Sequence, residues 1–303
     1  MNKQMAKKEF TRFLLHIQGG IGKCIMATAV IRSYKKANPG QEIVVVSGYP
    51  EVFVNNPDVS RNLSFNTPYL WKDYYSQPDV RIYAGDPYFT SSWVKNEEKH
   101  LIDIWCEEIG VPSIQKTPLL FFSGPEVDEL QKMIATEKPL VVVQSTGGAN
   151  AAARAWTRNP PQPELEEFLL QYQESHFVLH LCVPETPALQ NVHQRVDTLN
   201  RRQAIALIHY CNEFVGIDSF GMHARAANPN AGKTTVFFPL TESVKRLGYD
   251  GFQNITPRVE VQNLLKESQD YFASLFKHSI DSLGENCPVP AGTKWFNLGP
   301  EKV

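Results

Sequence analysis

Residues 213–227, Glu-Phe-Val-Gly-Ile-Asp-Ser-Phe-Gly-Met-His-Ala-Arg-Ala-Ala, decide which fold the chain is expected to have. The apolar run Phe-Val-Gly-Ile is typical of a buried strand, and the last six residues are typical of the first turns of a helix. Asp218 and Ser219 lie between them, where they can cap that helix. A helix that begins where a buried strand ends leaves backbone N–H groups free, and these favour a phosphate. His223 on the first turn can add a donor, but an ordinary capped helix has the same pattern.

The first half of the chain begins with the same kind of unit. An apolar run at residues 13–17 leads into a glycine turn, Gln-Gly-Gly-Ile-Gly, at residues 18–22. Apolar residues then recur at helical spacing as far as residue 36, and a second apolar run follows at residues 43–46. A strand, a loop, a helix and a strand in this order predict a parallel sheet with a right-handed crossover.

The glycine turn matches neither of two familiar phosphate-binding motifs. A P-loop requires a glycine five residues before Gly22 and a hydroxyl residue after the lysine, and Ile17 and Cys24 occupy those positions. A dinucleotide-binding motif requires a third glycine, where Ile25 stands, and an acidic residue at the end of the second strand, where Ser47 stands. The turn therefore predicts only a backbone that can approach a ligand closely.

A second small-residue turn follows the apolar run at residues 140–143. Its sequence is Ser-Thr-Gly-Gly-Ala-Asn at residues 145–150, and Arg154 and Arg158 come after it. Guanidinium groups bind phosphate oxygens two at a time, so these arginines suit a diphosphate. Solvated arginines on a surface loop are the alternative interpretation.

The length of 303 residues predicts about two domains. Strands alternate with helices in both halves, and each half has a glycine turn at a strand end. The expected fold class is therefore α/β, with two doubly wound Rossmann-like domains facing each other across a cleft. We predict the boundary near Lys138-Pro139, which gives domains of residues 1–138 and 139–303, the second with a closing helix at residues 264–276.

The composition argues against several other classes of protein. A net charge of −2 supplies no overall basic surface for nucleic acid or membranes. Five scattered cysteines without a Cys-x-x-Cys pair predict free thiols in the cytoplasm and no bound metal. The apolar run near the N-terminus is too short for a signal peptide or a membrane span.

Two stretches of the first half can form a binding surface. Residues 65–78 are rich in aromatic rings, including Tyr69 and Trp71, which can stack on sugars or bases. A loop packed by its own rings is the alternative. Asp86 follows a predicted strand at residues 80–84, and ligands bind at such carboxyl ends in open α/β sheets.

Two motifs resemble those of glycosyltransferase family 9, the heptosyltransferase-like family with the GT-B fold. The first is Gly-Gly-Ile-Gly at residues 19–22, followed by Ile-Met-Ala-Thr-Ala at residues 25–29. The second is Val-Gly-Ile-Asp-Ser at residues 215–219 with His223 and Ala226, which is similar to Asp-Ser/Thr-Gly-x-x-His-x-x-Ala. The resemblance covers about residues 13–277, and the combination is similar to divergent copies from tailed bacteriophages.

The resemblance implies inverting transfer of a sugar from a nucleotide-diphosphate donor, with no bound metal and no cofactor. It implies that the C-terminal domain binds the donor and that the N-terminal domain binds the acceptor. The residues that would contact the donor are, by position, Thr146, Gly147, Asp218, Ser219 and His223. The acceptor-side residues are Gly20, Gly22, Lys23, Tyr69 and Trp71.

Two positions depart from the family pattern. Lys23 stands where the family usually has its general-base aspartate, and Phe220 stands where the donor motif has glycine. A protonated lysine cannot accept a proton from a hydroxyl group, so another residue must be the base if the chain is catalytic. Asp86 is the catalytic candidate, with His16 and His100 as alternatives.

Three functions fit these sequence features to different degrees. The first is glycosyl transfer to a bacterial-surface saccharide or, in a phage setting, to a hydroxymethylated base in DNA. A DNA acceptor requires a basic track, for which the candidates are Arg61, Lys72, Arg81 and Lys95. The second is a non-catalytic nucleotide-sugar-binding protein, which Lys23 favours. The third, an NAD-dependent oxidoreductase, is disfavoured because its glycine and its acidic residue are missing.

Overall fold

Uninterrupted apolar runs form the central strands of two parallel sheets. The computed structural model describes residues 10–95, 98–134, 136–147, 158–275, 289–290 and 292–298. Its contacts divide the chain into two units, Met1–Phe122 and Ser123–Val303. The two units are each built around one of the sheets.

The first unit contains a four-stranded parallel sheet within its described residues. The strands are β1 (Arg12–Ile17), β2 (Glu42–Ser47), β3 (Arg61–Ser64) and β4 (Val80–Tyr83). Their order is β3-β2-β1-β4, and every pair is parallel. The order changes direction at β1, so the carboxyl ends of β1 and β4 form the topological switch point, where open α/β sheets bind ligands.

Helices cover one face of this sheet, and an aromatic segment covers the other. The helices of the first unit are α1 (Ile21–Ala37), α2 (Ser91–Lys95) and α3 (Leu101–Ile109). Phe13 of β1 stacks on Tyr34 of α1, with ring centroids 3.8 Å apart. Leu14 points to the opposite face, because successive strand residues alternate, and there it packs with Tyr74. Tyr74 belongs to a single π-helical turn, Trp71–Tyr75.

The second unit contains a six-stranded parallel sheet within its described residues. Its strands are β5 (Leu140–Val143), β6 (Phe177–Leu181), β7 (Gln194–Val196), β8 (Glu213–Ile217), β9 (Thr234–Phe237) and β10 (Gln253–Ile255). Their order is β10-β9-β8-β5-β6-β7 with all pairs parallel. This is the doubly wound order of Rossmann folds, with its switch point between β5 and β8.

Helices and a C-terminal segment pack against this sheet. The helices are α4 (Gly124–Met133), α5 (Gln162–Leu169), α6 (Arg201–Tyr210), α7 (Phe220–Ala226), α8 (Thr241–Leu247) and α9 (Val259–Leu275). Glu164 of α5 is buried, and its two carboxylate oxygens accept the backbone N–H groups of Trp295 and Phe296 at 2.5 and 2.8 Å. Both of these rings join the core of the unit beside Phe237. The carboxylate thereby ties the C-terminal segment to the core.

The division between the units differs from the expected boundary at Lys138-Pro139. It falls at Phe122/Ser123, so that α4 belongs to the second unit. The reason is an ion pair between Glu126 of α4 and Arg202 of α6, with the Glu126 Oε1 atom 2.8 Å from the Arg202 Nε atom. The sequence predicts a charged helix at residues 126–136 but does not indicate the element against which it packs.

Several elements differ from the sequence expectations. The closing helix begins at Val259, earlier than the expected residue 264, and its expected last residue, 276, lies outside the described residues. The strands β3, β7 and β10 and the helix α8 were not predicted. No helix of the described chain combines the length and the apolarity that a membrane crossing requires.

The four cysteines that the structure describes, Cys24, Cys106, Cys182 and Cys211, are free thiols. Burial raises the pKa of the Cys24 thiol to about 12 and that of the Cys106 thiol to about 11. Across the described ranges, no three or more His, Cys, Asp or Glu residues are grouped so as to hold a metal ion.

Candidate functional site

The two donor-side motifs meet at the switch point of the second sheet. Gly147 follows β5 and Ser219 follows β8, and a Cβ atom at Gly147 would lie 3.5 Å from the Ser219 Oγ atom and 3.1 Å from Ile217. The Gln144 side chain joins the two turns, because its Nε2 atom lies 3.3 Å from both the Thr146 carbonyl oxygen and the Ser219 Oγ atom. The fold thus brings together turns that are about 70 residues apart in the chain.

Ser219 does not cap α7 through its side chain, contrary to the expectation. It occupies the N-cap position with extended backbone angles, but its side chain makes no cap hydrogen bond. The hydroxyl group accepts from Gln144 instead. The dipole of α7 adds little to ligand binding, because the helix has only seven residues. The groups beside Ser219 that can hold a ligand are therefore side chains and the backbone of the two turns.

Asp218 and Arg158 lie close enough to interact electrostatically. Burial raises the pKa of the Asp218 carboxyl group, and the positive charge of Arg158 acts in the opposite direction. Arg158 is exposed at the start of the segment that leads into α5. The other expected arginine, Arg154, lies outside the described residues.

His223 is buried rather than open to the surface. Its Nδ1 atom lies 2.7 Å from the hydroxyl oxygen of Tyr249, and the two rings pack edge to face. Gly221, one position after the family's glycine, has no room for a side chain, because a Cβ atom would lie 2.2 Å from the Gln144 Oε1 atom.

Two further contacts at this edge were not foreseen from the sequence. The Thr146 hydroxyl oxygen lies 3.3 Å from that of Thr186, which follows β6. The Ser145 Oγ atom lies 2.8 Å from the Nε2 atom of His180 on β6. His180 is fully buried in the core, and burial lowers its pKa to about 4. The sequence signal for Thr186 is a hydroxyl residue shortly after the carboxyl end of a strand.

In the first unit, Lys23 and Asp86 form an ion pair across the switch point. The Nζ atom of Lys23, in the first turn of α1, lies 2.6 Å from the Oδ2 atom of Asp86, which follows β4. The other oxygen, Oδ1, accepts the backbone N–H group of Tyr88 at 3.1 Å. The same Nζ atom lies 5.0 Å from the centre of the Tyr88 ring. The carboxylate is therefore held next to the position where the family has its aspartate.

The glycines of the first turn leave room for this arrangement. Gly19 has a φ angle of +106°, and a Cβ atom there would lie 2.8 Å from the Lys23 Nζ atom, so a side chain would displace the lysine. Gly20 is the N-cap of α1 and faces open space. Gly22 lies within the first turn of α1.

The aromatic segment divides into a packed part and an exposed part. Tyr74 is buried in the core, and the hydroxyl group of Tyr75 is hydrogen-bonded to the Nδ1 atom of His16. Burial lowers the pKa of His16. Tyr69 and Trp71, in contrast, are 74% and 73% exposed. Tyr74 and Tyr75 therefore fit the expectation of a loop packed by its own rings, whereas a binding role for Tyr69 and Trp71 stays a prediction.

The four cations of the expected basic track are not equivalent. Arg61, Lys72 and Lys95 are exposed. Arg81 instead donates from its Nη2 atom to the Ile109 carbonyl oxygen at 2.8 Å. Its guanidinium group also lies over the buried ring of Phe13, so Arg81 is part of the packing of the first unit. The expectation that Arg81 belongs to an open basic track is wrong.

A cavity of about 900 Å³ in the second unit lies apart from these residues. Its lining comes from β10, the start of α9 and the C-terminal segment, and includes Arg258 and Asn297. None of the described donor-side residues lines this cavity.

His100, an alternative to Asp86 as base, is buried and caps α3 by accepting the Ile102 N–H group.

Two Rossmann-like units with parallel sheets in one chain are typical of the GT-B fold, and solved heptosyltransferases share this fold with the chain. The structure of Escherichia coli ADP-heptose lipopolysaccharide heptosyltransferase II matches with a TM-score of 0.59 at 14% sequence identity and covers 87% of this chain and 99% of its own. A family 9 glycosyltransferase from Veillonella parvula matches with a TM-score of 0.60 at 12% identity over 94% of both chains. E. coli heptosyltransferase WaaC with ADP matches with a TM-score of 0.56 at 10% identity, over 87% of this chain and 99% of its own.

No protein-family model and no curated protein matches the sequence. At identities of 10–14%, the three structures establish the fold.

Proposed function

We propose that the protein is a glycosyltransferase that moves a sugar from a nucleotide-diphosphate sugar to a hydroxyl group of an acceptor. The observation that carries the proposal is the position of both candidate sites at topological switch points. Gly147 meets Ser219 at one, and Lys23 meets Asp86 at the other. The shared fold supports the same reaction class, since the similar proteins are named as heptosyltransferases.

The second unit carries the candidate donor residues. Ser219, Thr146 and the turn at Gly147 offer hydroxyl and backbone groups to the diphosphate, and Arg158 offers a positive charge. An adenine nucleotide is the first donor to test, because similar structures are named for ADP-heptose and for ADP. The identity of the sugar follows from the donor that binds best.

The first unit carries the candidate base. Asp86 takes the proton of the acceptor hydroxyl group, whose oxygen then forms a bond to the anomeric carbon of the sugar. The bond from that carbon to the diphosphate oxygen breaks, and the nucleoside diphosphate leaves with the electron pair. Direct attack of this kind inverts the anomeric configuration. Lys23 holds one oxygen of Asp86 in place and balances its charge.

A non-catalytic binding protein is the second candidate, and Lys23 at the usual aspartate position favours it. The two proposals make different predictions for turnover. A binding protein retains affinity for nucleotide sugars and releases no nucleoside diphosphate from them. A transferase releases it slowly to water and faster when an acceptor is present.

Donor binding is tested by thermal shift and calorimetry with ADP, UDP, GDP and their sugars. A nucleotide sugar at a hundred times its Kd should stabilise the protein by about 2.7 kcal/mol. We expect Ser219→Ala to raise the Kd about 10- to 100-fold, because it removes a hydrogen bond to a charged group. Ser175→Ala is the matched control, since Ser175 is exposed just before β6, at the amino ends of the strands and away from the carboxyl ends where Ser219 lies. Equal Kd values for both variants would exclude Ser219 from the site.

The base is tested by release of nucleoside diphosphate from the best donor. We expect Asp86→Asn to lower turnover by about 100- to 10,000-fold with donor affinity unchanged, because the amide cannot accept the proton. Asp103→Asn in α3 is the control and should turn over like the wild type. Near-normal turnover of Asp86→Asn would remove Asp86 from the mechanism. Lipopolysaccharide and hydroxymethylated duplex DNA are the two acceptors to compare.

A further inference from the structure

Tyr69 and Trp71 are exposed to an extent that packing does not explain. Their exposed fractions are 74% and 73%, whereas large aromatic rings are usually mostly buried. Phe65 on the same segment is also exposed, at 43%. Contiguous exposed apolar groups on a protein surface commonly mark an interaction site.

The exposed Trp71 ring rests on a fixed base. It stacks on Tyr75 with centroids 6.1 Å apart and an interplanar angle of 10°. Tyr75 in turn is hydrogen-bonded to His16, the penultimate residue of β1. The Phe65 ring also stacks on the His16 ring, with centroids 5.1 Å apart. A rigid platform of this kind loses little conformational entropy when a ligand binds.

The backbone beneath the platform is in an uncommon conformation. Tyr69 has a φ angle of +62°, in the left-handed region that a bulky side chain seldom adopts. The residues from Trp71 to Tyr75 form a π-helical turn, and such turns occur frequently at functional sites. A positive φ angle at a bulky residue is costly and persists only where the surrounding structure holds it in place.

The charges around the platform favour an uncharged ligand. Lys72 and Asp73 are adjacent and both exposed, so their charges cancel locally. Arg12, beneath the segment, is paired with Asp79 at 2.9 Å. With Arg81 occupied inside the unit, the described residues here do not form the continuous basic track that a DNA backbone requires.

We propose that Tyr69 and Trp71 form a stacking platform for the ring of an uncharged saccharide, which is the acceptor of the proposed transfer. The proposal rests on the proposed function and names its acceptor class. The apolar faces of sugar rings pack on aromatic rings, while their hydroxyl groups stay available for other contacts. The position of the platform near the carboxyl ends of β1 and β3 places the saccharide on the ligand-binding edge of the sheet.

The test measures saccharide binding without any donor. The full-length protein is titrated with maltohexaose, mannohexaose and xylohexaose, and separately with a hydroxymethylated DNA duplex, by tryptophan fluorescence and calorimetry. We expect at least one saccharide to bind. Trp71→Ala and Tyr69→Ala should each weaken that binding about tenfold, and Trp71→Phe should retain most of it, because a ring still stacks. Tyr210→Ala, which removes an exposed ring of the second unit, is the matched control.

Three results would overturn the platform. These are wild-type protein that binds none of the saccharides, ring variants that bind them like the wild type, and a DNA duplex that binds more tightly than any saccharide. Donor binding is measured separately with ADP and its sugars. A protein that binds saccharides through Trp71 but binds no nucleotide would refute the proposed transferase and leave the platform standing.

Discussion

Removal of the Glu164 carboxylate should detach the C-terminal segment from the second unit. The side chain is 3% exposed, and its two oxygens accept the N–H groups of Trp295 and Phe296. These two residues pack in the core with Val261 and Leu265 of α9. In Glu164→Ala both N–H groups lose their acceptor while they remain away from water.

The size of the effect follows from the two hydrogen bonds. Each buried N–H group left without a partner costs about 1–3 kcal/mol, so Glu164→Ala should lower the free energy of unfolding by about 2–6 kcal/mol. Glu164→Gln keeps one acceptor oxygen and should lose about half of this. Glu167→Gln is the control, because its ion pair with Lys294 is more than half exposed and solvent screens it, so its removal should leave the unfolding transition nearly unchanged.

Denaturant unfolding and hydrogen exchange together measure this prediction. A two-unit chain need not unfold in one step, so the transition of the second unit is followed separately. Exchange of the Trp295 and Phe296 amides should accelerate in Glu164→Ala before the rest of the unit is affected. An alanine variant within about 0.5 kcal/mol of the wild type, with unchanged exchange at these amides, would refute the reasoning.

Two further predictions concern the second unit. Gly221→Ala should destabilise it by about 1–3 kcal/mol and weaken donor binding, because the added Cβ atom would lie 2.2 Å from the Gln144 Oε1 atom. Gly124→Ala is the control, because the space around Gly124 is open. Equal melting temperatures of the two variants would contradict the predicted crowding at Gly221. The hydrogen bond from Arg202 lowers the pKa of Glu126 from 4.5 to about 2. Because the folded-state pKa is depressed, this pair stabilises the unit fully above the unfolded pKa, and the contribution is lost as the pH falls from about 4.5 toward about 2. Glu126→Gln should therefore show a flatter dependence of the denaturation midpoint on pH over this window, and an unchanged slope would exclude the pair as its source.

The candidate catalytic pair of the first unit shows how much the sequence alone can indicate. Asp86 is a candidate because it follows a predicted strand, and Lys23 departs from the family pattern. Nothing in the sequence indicated that the two side chains touch. Their contact depends on β4 lying beside β1, and that neighbour relation is a property of the sheet order.

The sequence by itself determined the central strands, the helices that follow them and the glycine turns between them. Long apolar runs such as those of β2 and β5 are stable only when buried, and α1 is apolar enough to be buried on every side from Cys24 to Ile31, so local composition is sufficient there. The turn at residues 18–20, which α1 follows, and residues 145–147, the described part of the turn predicted at 145–150, follow from the same local rules.

Only the tertiary structure decided the edge strands and the pairing of distant turns. The strands β3, β7 and β10 lie at sheet edges and have mixed compositions, Arg-Asn-Leu-Ser, Gln-Arg-Val and Gln-Asn-Ile. They are strands because a neighbouring backbone supplies their hydrogen-bond partners, and not because their side chains require burial. The approach of Gly147 to Ser219 has the same origin, since it exists only when β8 pairs with β5.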